Sequence, residues 1–174
     1  MPEITYAVQG FLTVRKRALH VPLSGSLTLN ADLDSNTFTG DLVLQPSVIN
    51  RTVFGARIFS STVQIMAGAP VTGRTGQEAG LLATVQVGAV ISAVRIAGWN
   101  VICGNSCRTS TLATVPLRSQ PGARLDEGGR LTGTYDRPPF TGCGWITPLV
   151  NLLIAGPGNS VVIDLLPAHP PRAS

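Results

Sequence analysis

The side chains that most often carry out catalysis are few in this chain and lie far apart in the sequence. Its two histidines are His20 and His169, and neither has a serine, a cysteine or a carboxylate at a spacing that predicts a nucleophile with its base. A zinc site built from His20, Cys103 and Cys107 would lack the C-x2-C spacing of a zinc knuckle. These residues therefore predict neither a hydrolytic triad nor a metal centre.

One segment imitates the start of a calcium-binding loop. Residues 32–36 place carboxylate or amide side chains at every second position, as the first half of such a loop does. The match then fails, because Thr37 stands where the loop requires glycine and Val43 where it requires glutamate. We interpret the segment as the turn of a hairpin, and we predict no metal ion and no cofactor.

Two carboxylates within strand-like segments are the candidates for acid–base chemistry. Asp136 lies at the end of an alternating run, and Asp164 interrupts the apolar sequence VVIDLL. We interpret Asp164 as an outward-facing strand position, since carboxylates are rarely buried without a partner. An enzyme without a cofactor would need one of the two inside a pocket with a perturbed pKa.

Composition narrows the class of protein. Among the 174 residues, 44% are hydrophobic and 13% are charged, and this charged share is about half the usual one. The net charge of +4 comes from arginines that are scattered, except in Arg15-Lys16-Arg17. A nucleic-acid-binding surface would need a basic cluster with stacking aromatic residues, so we predict no nucleic-acid partner.

We predict one β domain over residues 1–166 and a disordered, Pro-rich tail over residues 167–174.

Segments that cross membranes or direct export have recognisable apolar cores. The longest apolar stretch of this chain, residues 145–155, is too short to span a bilayer. We therefore predict no transmembrane segment. No signal peptide is visible in the first residues, and this does not argue against export, because a mature fragment would also lack one.

Alternating apolar and polar residues indicate that most of the chain is β-structure. The clearest case is a hairpin, in which residues 27–33 and 38–44 alternate on the two sides of a turn. Residues 81–97 are apolar on both faces, which is typical of a strand that is central or lines an apolar interior. About eight antiparallel strands are predicted, with connections over residues 45–55 and 70–80.

A single short helix is predicted near the end of the chain. Residues 145–155 are apolar on nearly every side, and Thr147-Pro148 offers a cap and a first helical residue. The segment 156–159, with the sequence GPGN, predicts the end of the helix and a turn before the last strand. A helix with so little polar surface is expected to be buried.

Together these elements predict an all-β fold with one short helix. The favoured architecture is an antiparallel, strongly curved sheet or small barrel that is closed by the helix. The alternative is a two-sheet β-sandwich. In the favoured architecture the helix plugs or covers an apolar interior.

Three cysteines allow one disulfide bond. The favoured pair is Cys107 with Cys143, which would tie the mouth of one strand to the start of the helix. Such a bridge would stabilise the fold by roughly 3–4 kcal/mol on the chain-entropy model. Cys103 with Cys107 is the local alternative. A bridge would place the protein outside the cytosol.

Two segments in the second half of the chain form a longer pattern. They are Ser106-Cys107-Arg108-Thr109 and residues 131–165, which contain PPFTGCG and GPGN. In this pattern the chain resembles small secreted proteins of unknown function from GC-rich actinobacteria. The resemblance implies an exported β protein and favours the Cys107–Cys143 pair, while Cys103 lies outside the shared pattern. It implies no catalytic residues.

The leading hypothesis is a non-enzymatic secreted or cell-envelope protein that binds an apolar ligand, such as a lipid, in a β-lined interior. The residues predicted to line this interior are apolar side chains of the two-sided strand and of the helix: Val85, Val87, Ile91, Trp145, Leu149 and Leu153. The second hypothesis is a structural or adhesion module that binds another envelope component through its loops. The third is a cofactor-free enzyme of the small-barrel type.

Overall fold

The computed structural model describes residues 2–17, 19–76, 80–102 and 106–168. Within these ranges the chain forms thirteen β-strands and one α-helix. The elements are β1 Glu3–Val14, β2 Leu19–Asp32, β3 Thr37–Leu44, β4 Ser47–Val53, β5 Ala56–Ala67, β6 Val71–Gly76, β7 Gly80–Ile96, β8 Trp99–Ile102, β9 Cys107–Thr109, β10 Ala113–Ser119, β11 Gly129–Arg137, β12 Phe140–Thr141, α1 Thr147–Ile154 and β13 Gly156–Pro167. The predicted tail falls almost entirely on residues 169–174, outside the described residues.

Eight antiparallel strands form a closed barrel. Their order is β10-β11-β13-β1-β2-β3-β6-β7, and β7 pairs again with β10, for example through Val85 and Val115. The prediction of a small antiparallel barrel is confirmed, and the two-sheet sandwich is wrong because the strand order returns to its starting point. The ring is closed by the pairing of strands, and α1 lies against one end of it.

The long strand β7 belongs both to the barrel and to a sheet that continues beyond it. Its first half pairs with β6 and β10. Its second half pairs with β5, β8 and β9, and β4 pairs with β5. We call β4, β5, β8, β9 and the second half of β7 the sheet extension. The prediction that residues 81–97 form a central strand is confirmed.

Alternation along each barrel strand fills the interior with aliphatic and aromatic side chains. In β1, the side chains of Tyr6, Val8, Leu12 and Val14 are buried, and the residues between them face outward. Gly10 interrupts this series because a Cβ atom there would overlap the carbonyl oxygen of Val162 on β13. A close approach of this kind allows a strongly curved sheet to close.

Two segments that were predicted to be connections contain strands. Residues 45–55 include β4, and residues 70–80 include β6, which fills the position between β3 and β7 in the barrel. Each strand contains β-branched residues that favour β-structure, such as Val48 and Ile49 in β4 and Val71 and Thr72 in β6. The turn residues Pro46 and Pro70 directly before them hid this preference. The last strand also begins at Gly156, so the GPGN segment is already part of β13.

The predicted helix is present, but it is not buried. A short 3-10 turn, Gly144–Ile146, leads into α1, and the Thr147 hydroxyl donates a hydrogen bond back to the Gly144 carbonyl oxygen rather than capping the helix. Trp145 is 83% exposed, Leu152 66% and Leu149 46%. The helix is short and rests on the barrel end by one face only. The apolar residues on its other face therefore point into solvent.

Tyr6 anchors a long loop to the barrel, and its ionisation should limit stability at high pH. Its side chain is buried, and its hydroxyl donates a hydrogen bond to the Leu125 carbonyl oxygen. Burial and then the nearby Asp126 carboxylate raise the pKa of Tyr6 from 10.0 to about 12. Because the folded state holds the proton more tightly, the stabilisation is complete below pH 10 and is lost as the pH rises towards 12.

We therefore expect the thermal unfolding midpoint to fall more steeply between pH 10 and pH 12 than it does for Tyr6→Phe. Phenylalanine retains the ring but has no proton to lose. Across this range the wild type should lose about 2–3 kcal/mol more of its free energy of unfolding than Tyr6→Phe does. Parallel pH profiles for the two proteins would contradict this role of Tyr6.

Candidate functional site

An apolar cavity of about 120 Å³ lies between α1 and the inner face of the sheet extension. Val63 and Ile91 line it from the sheet, and Leu149, Val150 and Leu153 line it from the helix. The cavity is bounded almost entirely by carbon atoms. We call it the helix cavity. Its position follows from the one-sided contact of α1, which covers the end of the barrel without filling the space beneath.

The interior of the barrel itself is largely filled. It contains a second apolar cavity of about 50 Å³, bounded by residues that include Leu12, Val85 and Val87. A third space of about 20 Å³ lies further along the barrel. Both are too small for more than a few ligand atoms, as is usual for an eight-stranded barrel whose side chains meet at the centre.

Arg137 is the charged residue of this region. It is half-buried at the end of β11 and lines both the helix cavity and the barrel cavity. Its guanidinium donates a hydrogen bond of 2.7 Å to the Tyr135 hydroxyl oxygen. The ion pairs of the described residues join Arg124 to Asp126 and Arg130 to Asp164, so no described carboxylate neutralises Arg137. A cation in an otherwise apolar wall is suited to the anionic end of an amphiphilic ligand.

Side-chain hydrogen bonds fasten α1 to the chain segment that precedes it. The Asn151 amide oxygen accepts a hydrogen bond of 2.6 Å from the Phe140 backbone N–H. The Asn151 amide nitrogen donates one of 3.0 Å to the Phe140 carbonyl oxygen. This pair of bonds closes the middle of α1 onto β12 and satisfies the backbone of Phe140 on a strand of only two residues.

A disulfide bond holds the chain at the start of the helical segment. Cys107 on β9 is bonded to Cys143, with the two Cα atoms 4.2 Å apart, and both residues are buried. This confirms the favoured pair and excludes the alternative bridge between Cys103 and Cys107. Cys103 itself lies outside the described residues. The bridge and the Asn151 bonds fix two different points of the helical segment.

The residues predicted to line one interior are divided between separate places. Val85 and Val87 line the barrel cavity. Ile91, Leu149 and Leu153 meet around the helix cavity. Trp145 lines none of the cavities found in the described residues and extends into solvent.

Sequence reasoning missed Arg137 and Asn151. The alternation of Leu131, Gly133 and Tyr135 continues to Arg137, so the inward position of Arg137 was present in the same pattern that predicted the strand. However, a charged residue directly before Pro138-Pro139 is typical of a solvated strand end, and this hid the inward position of Arg137. Asn151 carries no signal of its own, because its partner Phe140 lies on a strand too short to predict.

Neither candidate carboxylate lines the helix cavity or the barrel cavity. Asp136 is exposed and accepts a hydrogen bond of 3.1 Å from the Gly158 backbone N–H. Asp164 accepts two hydrogen bonds from the Arg130 guanidinium, at 2.7 and 3.0 Å, and these lower its pKa. The outward-facing interpretation of Asp164 is confirmed. Neither carboxylate is therefore placed in the apolar interior, where the enzyme hypothesis needed one of them.

The segment that imitates a calcium loop is a hairpin turn, as predicted. The Asp32 carboxylate accepts hydrogen bonds from the backbone N–H groups of Asp34 and Ser35. The hydrogen bond from the Ser35 side chain and then these two backbone bonds lower the pKa of Asp32. The turn joins β2 to β3, with Ala31 opposite Phe38. In the described part of the chain, no group of three potential metal ligands comes together.

Comparison of the chain with protein-family models, with curated proteins and with solved structures finds no match. Function is therefore inferred from the geometry and chemistry of this chain. Within the described ranges, no helix combines the length and the hydropathy that crossing a bilayer would require.

Proposed function

We propose that the protein is a non-enzymatic carrier that binds the apolar part of a lipid-like ligand in the helix cavity. The observation that carries this proposal is the apolar cavity of about 120 Å³ beneath α1. Leu149 and Ile96 line this cavity and are also exposed, so it opens to solvent beside them. A binding site is expected to have this combination of an apolar interior and an accessible mouth.

The size of the cavity defines what the closed form can hold. It approaches the roughly 150 Å³ of an engineered apolar cavity that binds benzene. The closed form therefore has room for one ring or for a short part of an acyl chain. A longer chain would need α1 to move outward. The disulfide bond at Cys143 would keep the start of the helical segment in place while α1 swings away from the sheet.

Arg137 supports a ligand with an anionic end. A fatty acid whose chain lies beneath α1 would bring its carboxylate to the guanidinium, where a charge-assisted hydrogen bond would replace solvent. The buried disulfide bond suits an oxidising compartment, and together with the resemblance to secreted actinobacterial proteins it supports a secreted or cell-envelope location for this carrier.

Filling the helix cavity from α1 should weaken ligand binding. Val150 lines the cavity and lies on a helix that contacts the barrel with one face, so Val150→Phe places a ring into the space at a modest cost in packing. We expect wild-type protein to bind decanoate in isothermal titration calorimetry and Val150→Phe to bind it at least about tenfold more weakly, the loss of roughly two buried methylene groups.

The matched control is Leu152→Phe. Leu152 lies on the exposed face of the same helix and does not line the cavity, so decanoate should bind this variant as it binds the wild type. Equal affinity of Val150→Phe and wild type, or no binding of decanoate to the wild type, would overturn the proposal.

A further inference from the structure

Two neighbouring hairpins of the sheet extension end in exposed apolar residues. The turn between β4 and β5 is Phe54-Gly55, and the turn between β7 and β8 is Ala97-Gly98. The Ala97 backbone N–H donates a hydrogen bond of 2.9 Å to the Ile58 carbonyl oxygen, which holds the tips side by side. We use the name tip surface for the exposed side chains of Phe54, Ile58, Ile96 and Trp99.

The tip surface is continuous with the mouth of the helix cavity. Trp99 pairs with Ile96 across the β7–β8 hairpin, and Ile96 pairs with Phe59 on β5, so these three side chains lie on one face of the sheet. Ile96 and Phe59 line the helix cavity. Trp99, which is 79% exposed, extends this apolar face beyond the cavity into solvent.

Phe54 is in an unfavourable backbone conformation, and its apolar side chain is exposed to water. The φ angle of Phe54 is 49° and that of Gly55 is 79°, so both turn residues are in the left-handed region. Asparagine is preferred over other residues before glycine in such a two-residue turn. A phenylalanine there costs about 1 kcal/mol of backbone energy, and its side chain is fully exposed, so no packing within the chain offsets this cost.

Cationic side chains surround the tip surface. Arg51 and Arg57 flank the first turn, and Arg95 precedes the second. Arg15 and Lys16 lie beside Gly158 and Gly156, where α1 ends. Asp136 on β11 supplies a carboxylate beside Gly158, and this carboxylate already accepts a hydrogen bond from the Gly158 backbone N–H. We call this the basic end of the molecule.

Most of the carboxylates lie at the other end of the barrel, where β1 begins and β2 and β3 meet. They come from the start of β1, the turn after β2 and the loop between β10 and β11: Glu3, Asp32, Asp34, Asp126 and Glu127. Arg74, Arg118, Arg124 and Arg130 lie at this same end and offset much of its negative charge. The net positive charge of the described residues is therefore concentrated at the basic end. The exposed apolar residues of the sheet tips and of α1 share the positive end.

We propose that the basic end docks on a bilayer surface that contains anionic lipids. Phe54 and Trp99 insert at the boundary between headgroups and acyl chains, where aromatic side chains are favoured. The arginines around them bind lipid phosphates, because basic groups beside an apolar patch add electrostatic attraction to apolar insertion. The docked orientation also brings the mouth of the helix cavity against the bilayer. Docking itself depends on the exposed tips and charges and not on a ligand in the cavity.

The test is sedimentation of the protein with vesicles of phosphatidylcholine, with and without phosphatidylglycerol. We expect binding to the vesicles that contain phosphatidylglycerol and a blue shift of tryptophan fluorescence, since both tryptophans, Trp99 and Trp145, are exposed at the basic end. The double variant Phe54→Asn, Trp99→Ser should bind at least about tenfold more weakly. Phe54→Asn creates the preferred Asn-Gly turn, so it should also stabilise the fold and exclude unfolding as the cause.

Two matched controls use the opposite end of the barrel. Leu33 is a 70% exposed apolar residue at the β2–β3 turn, and Leu33→Ser should leave vesicle binding unchanged. Arg57→Gln with Arg95→Gln should weaken binding, whereas Arg74→Gln with Arg118→Gln, which removes the same charge near the start of β7, should not. Absence of binding to both kinds of vesicle, or equal losses from changes at the two ends, would overturn the proposal.

Discussion

Replacing Cys143 by serine should lower the free energy of unfolding by about 4 kcal/mol, within the usual range for losing a native disulfide. The bridge joins residues separated by 36 positions, so the reduced chain gains considerable conformational freedom when it unfolds. The substitution also leaves the Cys107 thiol in a fully buried position without its partner. Chemical denaturation would measure the loss, and hydrogen exchange should show it first in α1 and β12.

Reduction of the wild-type protein provides the control for this substitution. A reducing agent should lower the stability of the wild type to that of Cys143→Ser and should leave the variant itself unchanged. Peptide mapping without reduction should recover the Cys107 and Cys143 peptides as one linked species. A linked Cys103–Cys107 peptide, or equal stability of wild type and variant, would contradict the prediction.

Replacing Phe140 by alanine should cost about 3–5 kcal/mol, the range for truncating a buried phenylalanine. Phe140 is among the largest fully buried side chains of the described residues and lines the helix cavity. Removing its ring merges new empty volume with an existing apolar space. We therefore expect benzene to restore part of the lost stability, because a ligand that binds only the folded state raises the unfolding midpoint.

Phe11→Ala is the matched control for the cavity. Phe11 lies on the outer face of β1, is 43% exposed and contacts His20 edge-on. Its truncation should cost much less, and benzene should not rescue it beyond the small effect on the wild type. If benzene raised the midpoint of both variants equally, the rescue of Phe140→Ala would not arise from the helix cavity.

The elements that were predictable from sequence are those whose burial pattern is local. The β2–β3 hairpin follows from strict alternation around a polar turn, and β7 could be recognised as a long central strand from its continuous run of apolar and β-branched residues. The bridge between Cys107 and Cys143 was also predictable, since it connects two turn-like segments beside a strand and a helix. For the hairpin and β7 a few neighbouring residues carry the signal, whereas the bridge joins two such segments 36 positions apart.

What could not be predicted depends on partners that are distant in the chain. The strand β6 forms because β3 and β7 leave a place for it. The exposure of Leu152 depends on how α1 meets the barrel, which apolar content alone does not determine. The inward position of Arg137 could have been predicted from its alternation with Tyr135. The two cavities that Arg137 lines could not have been predicted in this way. The helix cavity itself has no sequence signature, because it is a space between elements.

The separation of charge along the barrel has a kinetic consequence. A net charge of +4 attracts the molecule to an anionic surface in any orientation, but the concentration of positive charge at the basic end also gives it a dipole moment along the barrel axis. In the field of such a surface the molecule turns its basic end forward before contact, so encounters are already oriented. Arrival is then slowed by salt, which screens the field. Departure is governed by the withdrawal of Phe54 and Trp99 from the lipid and is much less sensitive to ionic strength.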